Sequence, residues 1–454
     1  MTTRRKVKTA YFCSQCGAEH PKWQGQCREC QAWNTLIEER VTTRKSAPSR
    51  PAGARPTKIS EITREERDGY ISGIAELDRV LGGKVLPGMT VLLGGEPGIG
   101  KSTLLLQAAE AYSKAGLPVL YVTGEESLPQ IKVRSQRLDV AGDNVTVINL
   151  TELNDIVSLI GTGDYAIVLI DSIQTVASEQ FDSPPGTVGQ IRESASQLIR
   201  AAKTEGCALY LVGHITKEGM IAGPKVLEHM VDTVIYFEGD SAHLYRILRV
   251  TKNRFGSVAE IGLFQMTSNG LAEVANPSSF FLTDSDQPQR TGAAVTGICE
   301  GNRPLLVEIQ ALVSSAAYGN PQRVAGGIDG KRLALLLAIL EKRCGYPMGT
   351  QDVFVSVAGG LKLTEPSLDL AVMAAIVSSL ENRPIGSGLL VLGEVGLSGE
   401  LRGVTMIERR IAEASKLGYK TAVLPKSNLA QIGSTDMELI GVADLQTALD
   451  KILG

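Results

Sequence analysis

The sequence predicts an α/β protein in three parts. A small N-terminal four-cysteine module leads into a central domain on a parallel sheet, followed by a C-terminal domain of mixed strands and helices. Three observations carry this reading. Two Cys-x-x-Cys pairs lie within the first 30 residues. Short, wholly apolar runs alternate with helix-like stretches from about 70 to 275, and a second set of strand and helix patterns follows residue 293. Strands that are apolar throughout, separated by helices, call for a parallel sheet covered on both faces.

Composition sets the outer limits. The chain has 454 residues, 43% hydrophobic and 21% charged, and a net charge of −3. That length allows about three domains of ordinary size. The near-neutral charge excludes a chain that grips nucleic acid by uniform basicity. No apolar run reaches the roughly 20 residues that span a bilayer, and the opening MTTRRKVKTAYF has no apolar signal core, so a cytoplasmic location is expected. The average conceals an asymmetry: eleven Lys and Arg against four Glu give residues 1–57 a charge of +7, leaving −10 for the other 397.

Residues 1–40 are read as a separate zinc module. Cys13, Cys16, Cys27 and Cys30 form two thiolate pairs that can meet around one tetrahedral Zn²⁺. A unit too small for its own core would take its folding energy from the metal. Trp23 and Trp33 are expected to pack against the zinc knuckles, and His20 is left outside a shell that four cysteines complete. Cys207, Cys299 and Cys344 are read as inert core thiols. Residues 41–57, rich in Ser, Pro, Gly and Arg, read as a basic linker.

The central domain, 58–276, carries the strongest motif. Gly95, Glu96, Pro97, Gly98, Ile99, Gly100, Lys101, Ser102 and Thr103 follow the strand TVLLGG and open a helix, the context of a phosphate-binding loop. Backbone N–H groups would cradle the phosphates of ATP, Lys101 would reach the β and γ oxygens, and Ser102 would ligate Mg²⁺. Asp171, closing the apolar strand AIVLID, is the expected partner of that Mg²⁺ on the far side. Ser172 rather than a second acid follows it, so the group that orients the attacking water must come from elsewhere. Glu125 and Glu126 follow the strand VLYVTG, and an acid cluster at a helix start is one reading of the pair. His214, ending ALYLVGH, is placed to sense the γ-phosphate or to be a satisfied strand-end histidine. From about 234 to 275 the pattern alternates, which predicts an antiparallel extension. Residues 277–292 read as a second linker, and 293–454 as the last domain.

The stretch SGIAELDRVLGGKVLPGMTVLLGGEPGIGKSTLL at 72–105 resembles the opening of RecA/KaiC-type ATPase domains. With the four-cysteine finger and the segment from Lys252 to Gly256 (KNRFG), essentially the whole chain resembles the bacterial RadA (Sms) family. The resemblance implies a RecA-like P-loop ATPase core with a small N-terminal zinc-ribbon-like module and a C-terminal α+β Lon-protease-like domain. It implies a catalytic glutamate at Glu125 or Glu126, and Lys252 and Arg254 reaching into a neighbour's ATP site. It further implies a homo-hexameric ring on single-stranded and branched DNA that drives branch migration beside the RecA recombinase. Two Gly- and Pro-containing loops, Ser178 to Gln190 followed by Arg192, and Thr216 to Lys225 with Lys217, are then candidate mobile DNA contacts.

Residues 392–428 resemble the proteolytic domain of Lon proteases, and Ser367 falls where Lon carries its nucleophile. A Ser/Lys dyad needs a lysine to take the hydroxyl proton. The lysine position falls at or near Glu408, beside Arg409 and Arg410, which stay protonated. A non-proteolytic scaffold is therefore expected. Arg303, Arg323, Lys331, Arg332, Lys342 and Arg343 give it basic stretches that suit a DNA-binding face or a solvated helix face. The rival functions are a Lon-type ATP-dependent protease and a KaiC-like signalling ATPase that does not need DNA.

Overall fold

The computed structural model describes residues 7–42, 58, 68–179, 181–214, 225–239, 245–274, 276–282, 290–316, 321–360 and 362–454. The chain divides into two compact units, Met1–Val274 and Ala275–Gly454. Most of both linkers, 43–57 and 283–289, and Lys217 in the second candidate DNA loop lie outside the described residues.

The first unit opens with three antiparallel strands, β1 (Val7–Cys13), β2 (Glu19–His20) and β3 (Leu36–Thr42), in the order β2-β1-β3. A nine-stranded sheet follows. Its parallel part is β4 (Thr90–Gly95), β5 (Val119–Thr123), β6 (Val145–Asn149), β7 (Ile167–Asp171), β8 (Ala208–His214) and β9 (Thr233–Glu238). The antiparallel extension is β10 (Tyr245–Asn253), β11 (Ile261–Thr267) and β12 (Gly270–Glu273), and the full order is β12-β11-β10-β9-β4-β8-β7-β5-β6. Strand β9 pairs parallel with β4, so the extension starts at β10, one strand later than the alternating pattern predicts.

All residues of β4, β5 and β7 and all but the last of β8 are buried, which is why these strands carry Val, Ile and Leu without alternation. Helices α1 (Ala75–Leu81), α2 (Lys101–Lys114), α3 (Leu128–Arg137), α4 (Leu153–Ile160), α5 (Val188–Glu205) and α6 (Lys225–Glu228) complete the unit. Two apolar clusters flank the sheet. One gathers α2 residues Leu104, Leu105 and Ala108 with Val91, and the other gathers α5 residues Ile191, Ala195 and Leu198 with Leu92.

The zinc module is packed onto this sheet domain rather than standing apart as its cysteine-rich composition suggests. Ala10 and Phe12 belong to the same apolar cluster as Val188, Ile191 and Val226. The Phe12 and Phe181 rings meet with centroids 6.1 Å apart. Glu39, only 4% exposed, accepts the Gly189 N–H with Oε1 at 3.0 Å and Oε2 at 3.2 Å. Thr187, the N-cap of α5, makes no side-chain cap of its own, so a carboxylate from the zinc module closes the first turn of this helix. Arg192 Nη1 donates to the Gly17 carbonyl at 2.7 Å from the other side.

The second unit is a seven-stranded mixed sheet. Its strands are β13 (Ala293–Glu300), β14 (Arg303–Ser315), β15 (Arg323–Gly326), β16 (Gln351–Val357) and β17 (Leu389–Val391). After a small antiparallel pair, β18 (Glu394–Val395) with β19 (Leu401–Arg402), come β20 (Thr421–Pro425) and β21 (Glu438–Val442). The sheet order is β15-β16-β14-β13-β17-β20-β21. The helices are α7 (Gly330–Cys344), α8 (Asp369–Glu381), α9 (Ile407–Lys416) and α10 (Leu445–Leu453). Residues Asp369 to Ser378 of α8 are all buried, and a helix apolar on every side is a core helix. No described helix is long and apolar enough to cross a membrane.

Replacing Glu39 by Ala leaves the Gly189 N–H without its buried acceptor and is expected to destabilise the first unit by about 1–3 kcal/mol. Thermal unfolding of full-length protein checks this, with zinc content measured in parallel and expected to be unchanged. A melting temperature equal to that of the unaltered chain would show that the contact contributes nothing.

Candidate functional site

The four cysteine Sγ atoms lie within 4.8 Å of one another. Cys13 and Cys30 are 3.6 Å apart, as are Cys16 and Cys27. Tetrahedral Zn–S bonds of about 2.3 Å require sulfur separations of about 3.8 Å, so the set fits zinc. The N–H of His20 Nε2 points at Cys27 Sγ from 3.4 Å, while Nδ1 accepts from Gln24 at 2.8 Å. His20 is thus outside the ligand set and steadies one ligand. Trp23 and Trp33 do not pack over the knuckles as expected. They are 57% and 69% exposed, because the module's small interior is filled by Cys13, Cys27 and Leu36.

The second site forms at the C-terminal ends of the parallel strands, where open α/β sheets bind their ligands. Gly95, ending β4, is in register with His214, ending β8, and Thr123, ending β5, is in register with Asp171, ending β7. Glu96, Pro97 and Gly98 are exposed at the loop tip, Ile99 is buried, and Ser102 and Thr103 lie in the first turn of α2. Gly100 has φ +119°, and a Cβ there would come within 3.1 Å of Met266 Cε and 3.2 Å of Phe237 Cε1. The last loop position therefore needs glycine for its conformation and for its space.

Lys101 is 3% exposed, and its Nζ donates to the carbonyls of Gly95 at 2.9 Å and Glu96 at 2.8 Å. Burial pushes its ammonium down to about 8, while Asp171 and Glu125 pull it upward. Asp171 Oδ2 accepts from Tyr121 at 2.7 Å, whereas its buried Oδ1 has no hydrogen-bond partner among the described residues. An orphaned carboxylate oxygen beside a phosphate loop suits a water of the Mg²⁺ shell.

The two adjacent glutamates have different partners. Glu126 is turned to Arg134 of α3, 2.5 Å from its Nη2. Glu125 faces the strand ends, where Oε1 accepts from Ser172 Oγ at 2.5 Å and from His214 Nε2 at 3.0 Å. The His214 hydrogen bond holds the Glu125 carboxyl down to about 2 against its partial burial, with Ser172 adding to the effect.

Lys252 and Arg254 are not brought to this edge. Asn253 pairs with Thr233 at the start of β9, while the phosphate loop follows Gly95, which pairs with Phe237 four residues further along β9. At about 3.3 Å per residue the two ends are about 13 Å apart. Lys252 Nζ donates to the carbonyls of Glu228 at 2.7 Å and Val231 at 2.8 Å, and Arg254, 57% exposed, pairs with Asp232 at 3.4 Å. Of the candidate DNA contacts, Lys225 is exposed at the start of α6 and Arg192 is engaged with Gly17. In the loop before Arg192, buried Gln190 accepts from the Ser178 N–H at 2.8 Å and donates to the Ser183 carbonyl at 3.0 Å.

In the second unit the residue facing Ser367 is Arg410, not Glu408, which is exposed. Arg410 is 1% exposed, and its Nη1 donates to Ser367 Oγ at 3.2 Å while its Nη2 pairs with Glu365. A guanidinium cannot take the serine proton at neutral pH, so Arg410 is not a general base for Ser367. Arg332, one of the basic residues noted above, pairs with buried Asp369. Sequence reading missed Glu39 and Tyr121, which sit in ordinary strand patterns and acquire roles only through distant partners.

Together the fold and these residues define a P-loop ATPase of RecA-like topology, carrying a zinc ribbon and a Lon-like α+β domain. Residues 11–38 match the rubredoxin metal binding domain family, 55–220 the AAA domain family and 332–428 the subunit ChlI of Mg-chelatase family. The chain is 48% identical over 456 residues to DNA repair protein RadA of Halalkalibacterium halodurans, covering 99% of each chain. It is 49% identical over 451 residues to DNA repair protein RadA of Pseudomonas aeruginosa, covering 98% of this chain and 99% of the other. It is 46% identical over 451 residues to that of Escherichia coli, covering 97% and 98%. The chain belongs to the RadA family of DNA repair proteins, and its cofactors are Zn²⁺, ATP and Mg²⁺.

The depressed Lys101 gives a pH prediction. Phosphate oxygens favour the ammonium form, so nucleotide raises this pKa, and above pH 8 the free lysine must gain a proton to bind. The Kd for a non-hydrolysable ATP analogue is expected to rise above pH 8, approaching tenfold per pH unit, with uptake of one proton. Calorimetry in buffers of different ionisation enthalpy reads both; a Kd flat from pH 7 to 9.5 would contradict the shift.

Proposed function

We propose that the chain is a DNA-dependent ATPase motor that works as a homo-hexameric ring in the cytoplasm, binds single-stranded DNA and promotes branch migration of recombination intermediates with the RecA recombinase. The observation that carries this reading is the separation of the KNRFG turn from the phosphate loop of its own chain. An exposed Arg254 about 13 Å along the sheet from Gly95 is of no use to its own nucleotide but is available to a neighbour's. Ring assembly supplies that neighbour, and a cation delivered across a subunit boundary couples hydrolysis to subunit movement. The names of the relatives support DNA repair as the setting.

Within one site the roles follow from position. The backbone N–H groups of the loop and the N-terminus of α2 hold the phosphates, and Lys101 exchanges its loop carbonyls for β and γ oxygens. Ser102 and Asp171 hold Mg²⁺, which when bound neutralises charge on the transferred phosphoryl group. Glu125, ionised at any working pH, orients the attacking water, since Glu126 is committed to Arg134. For DNA, Lys225 is the exposed candidate cation, joined by Lys217 and by Arg192 where its guanidinium is not held by Gly17. Lys252, tied to the Glu228 and Val231 carbonyls, serves the interface by fixing the turn that carries Arg254.

The test is the ATPase rate with and without a single-stranded oligonucleotide, paired with a branch-migration assay. Stimulation by DNA and movement of a branched substrate are expected, and hydrolysis indifferent to DNA would point to the signalling reading. Arg254→Ala is expected to bind nucleotide within about twofold of normal while losing on the order of 10³ in kcat. Normal translocation by that variant would remove the trans-acting role.

A further inference from the structure

Two polar side chains, one buried and one half-buried, meet at Glu125 and are not used by the hydrolysis scheme above. Ser172, 0% exposed, directly follows Asp171, and its Oγ donates to Glu125 Oε1 at 2.5 Å. His214, from the neighbouring strand end, donates from Nε2 to the same oxygen at 3.0 Å. Two donors from two strands therefore converge on Oε1, while among the described residues no side-chain donor reaches Oε2. Both donors are themselves held in place. The Ser172 carbonyl accepts from Thr175 Oγ1 at 2.8 Å, and the His214 carbonyl accepts from Gln174 Nε2 at 3.3 Å. Because Oε1 of a carboxylate only accepts, the His214 hydrogen sits on Nε2 and the orientation of the ring is tied to that bond.

A glutamate on the turn after a strand is otherwise poorly fixed. Glu125 has a side chain 41% exposed, and immobilising a long rotamer-rich side chain costs conformational entropy. We infer that Ser172 and His214 are positioning residues for Glu125, pinning Oε1 so that Oε2 alone is presented to the attacking water. They divide one carboxylate into an anchored oxygen and a working one. The residue after Asp171 thus contributes a hydroxyl that holds the water-orienting acid of another strand, which explains why a small buried polar side chain stands there. This inference rests on Glu125 being the residue that orients water.

The experiment is steady-state ATP hydrolysis by full-length protein carrying Ser172→Ala, His214→Ala or His214→Gln, each also combined with Glu125→Gln. With Glu125 intact, the two alanine variants are expected to lose about tenfold in kcat, with KM for ATP and binding of a fluorescent ADP analogue within about twofold of normal. His214→Gln, whose amide N–H can reach the same oxygen, is expected to recover to within about threefold of the unaltered rate. In the Glu125→Gln background neither alanine substitution is expected to lower kcat further, because residues that act through one group are not additive. Additive losses in that background, or a raised KM with kcat unchanged, would overturn the positioning role while leaving Glu125 in place. Near-normal kcat in Glu125→Gln alone would instead remove the Glu125 assignment, and the positioning role with it. Nucleotide binding by each variant reports that it is folded, and the glutamine rescue separates lost orientation from lost structure.

Discussion

Burial of the central sheet on both faces is the constraint from which the rest of this protein follows. Strands β4, β5, β7 and β8 are filled mainly with apolar side chains, so a polar group within them needs a buried partner, as Tyr121 has in Asp171. Polar chemistry is thereby pushed to the strand ends. Gly95, Asp171, His214 and the turn carrying Glu125 come together because four strands finish at one edge. The same logic sends the KNRFG turn to the opposite edge, since β10 runs antiparallel to β9. One chain thus presents a complete phosphate cradle on one edge and an exposed cation on the other.

Much of this was legible in the sequence, for a physical reason. A phosphate loop is a local object: its glycines, lysine and serine act within nine consecutive residues, and the flanking apolar run identifies the strand before it. The zinc set is nearly as local, two tight turns brought together. What could not be read was anything settled by a partner far along the chain. The choice between Glu125 and Glu126 depends on Arg134 on one side and on Ser172 and His214 on the other. The docking of the zinc module depends on Glu39 meeting Gly189, 150 residues away. The tryptophans misled because aromatic residues near metal knuckles are ordinarily packing groups, whereas this module has too little interior to cover them.

The second unit teaches the same lesson through a single substitution of kind. The sequence places the base position of a Ser/Lys dyad at or near Glu408, beside Arg409 and Arg410, and of these three residues of α9 only Arg410 turns inward. The inward residue, Arg410, also donates to the Gly297 carbonyl at 2.5 Å, so it ties β13 and α9 to the segment bearing Ser367. Its permanent charge makes it a good structural tie and a useless base.

The Glu39 contact has a consequence for how metal and motor communicate. A four-cysteine ribbon of this size draws its folding free energy from zinc, on the order of 10 kcal/mol, and without the ion β3 has no fixed position from which to offer a carboxylate. Helix α5, which runs against the central sheet, then begins with an uncapped buried N–H. Part of the helix's stability is therefore stored in another module and is released only through the metal. By reciprocity, whatever steadies α5 through Glu39 also strengthens zinc binding by the same coupling free energy, which is small beside the roughly 10 kcal/mol that holds the ion.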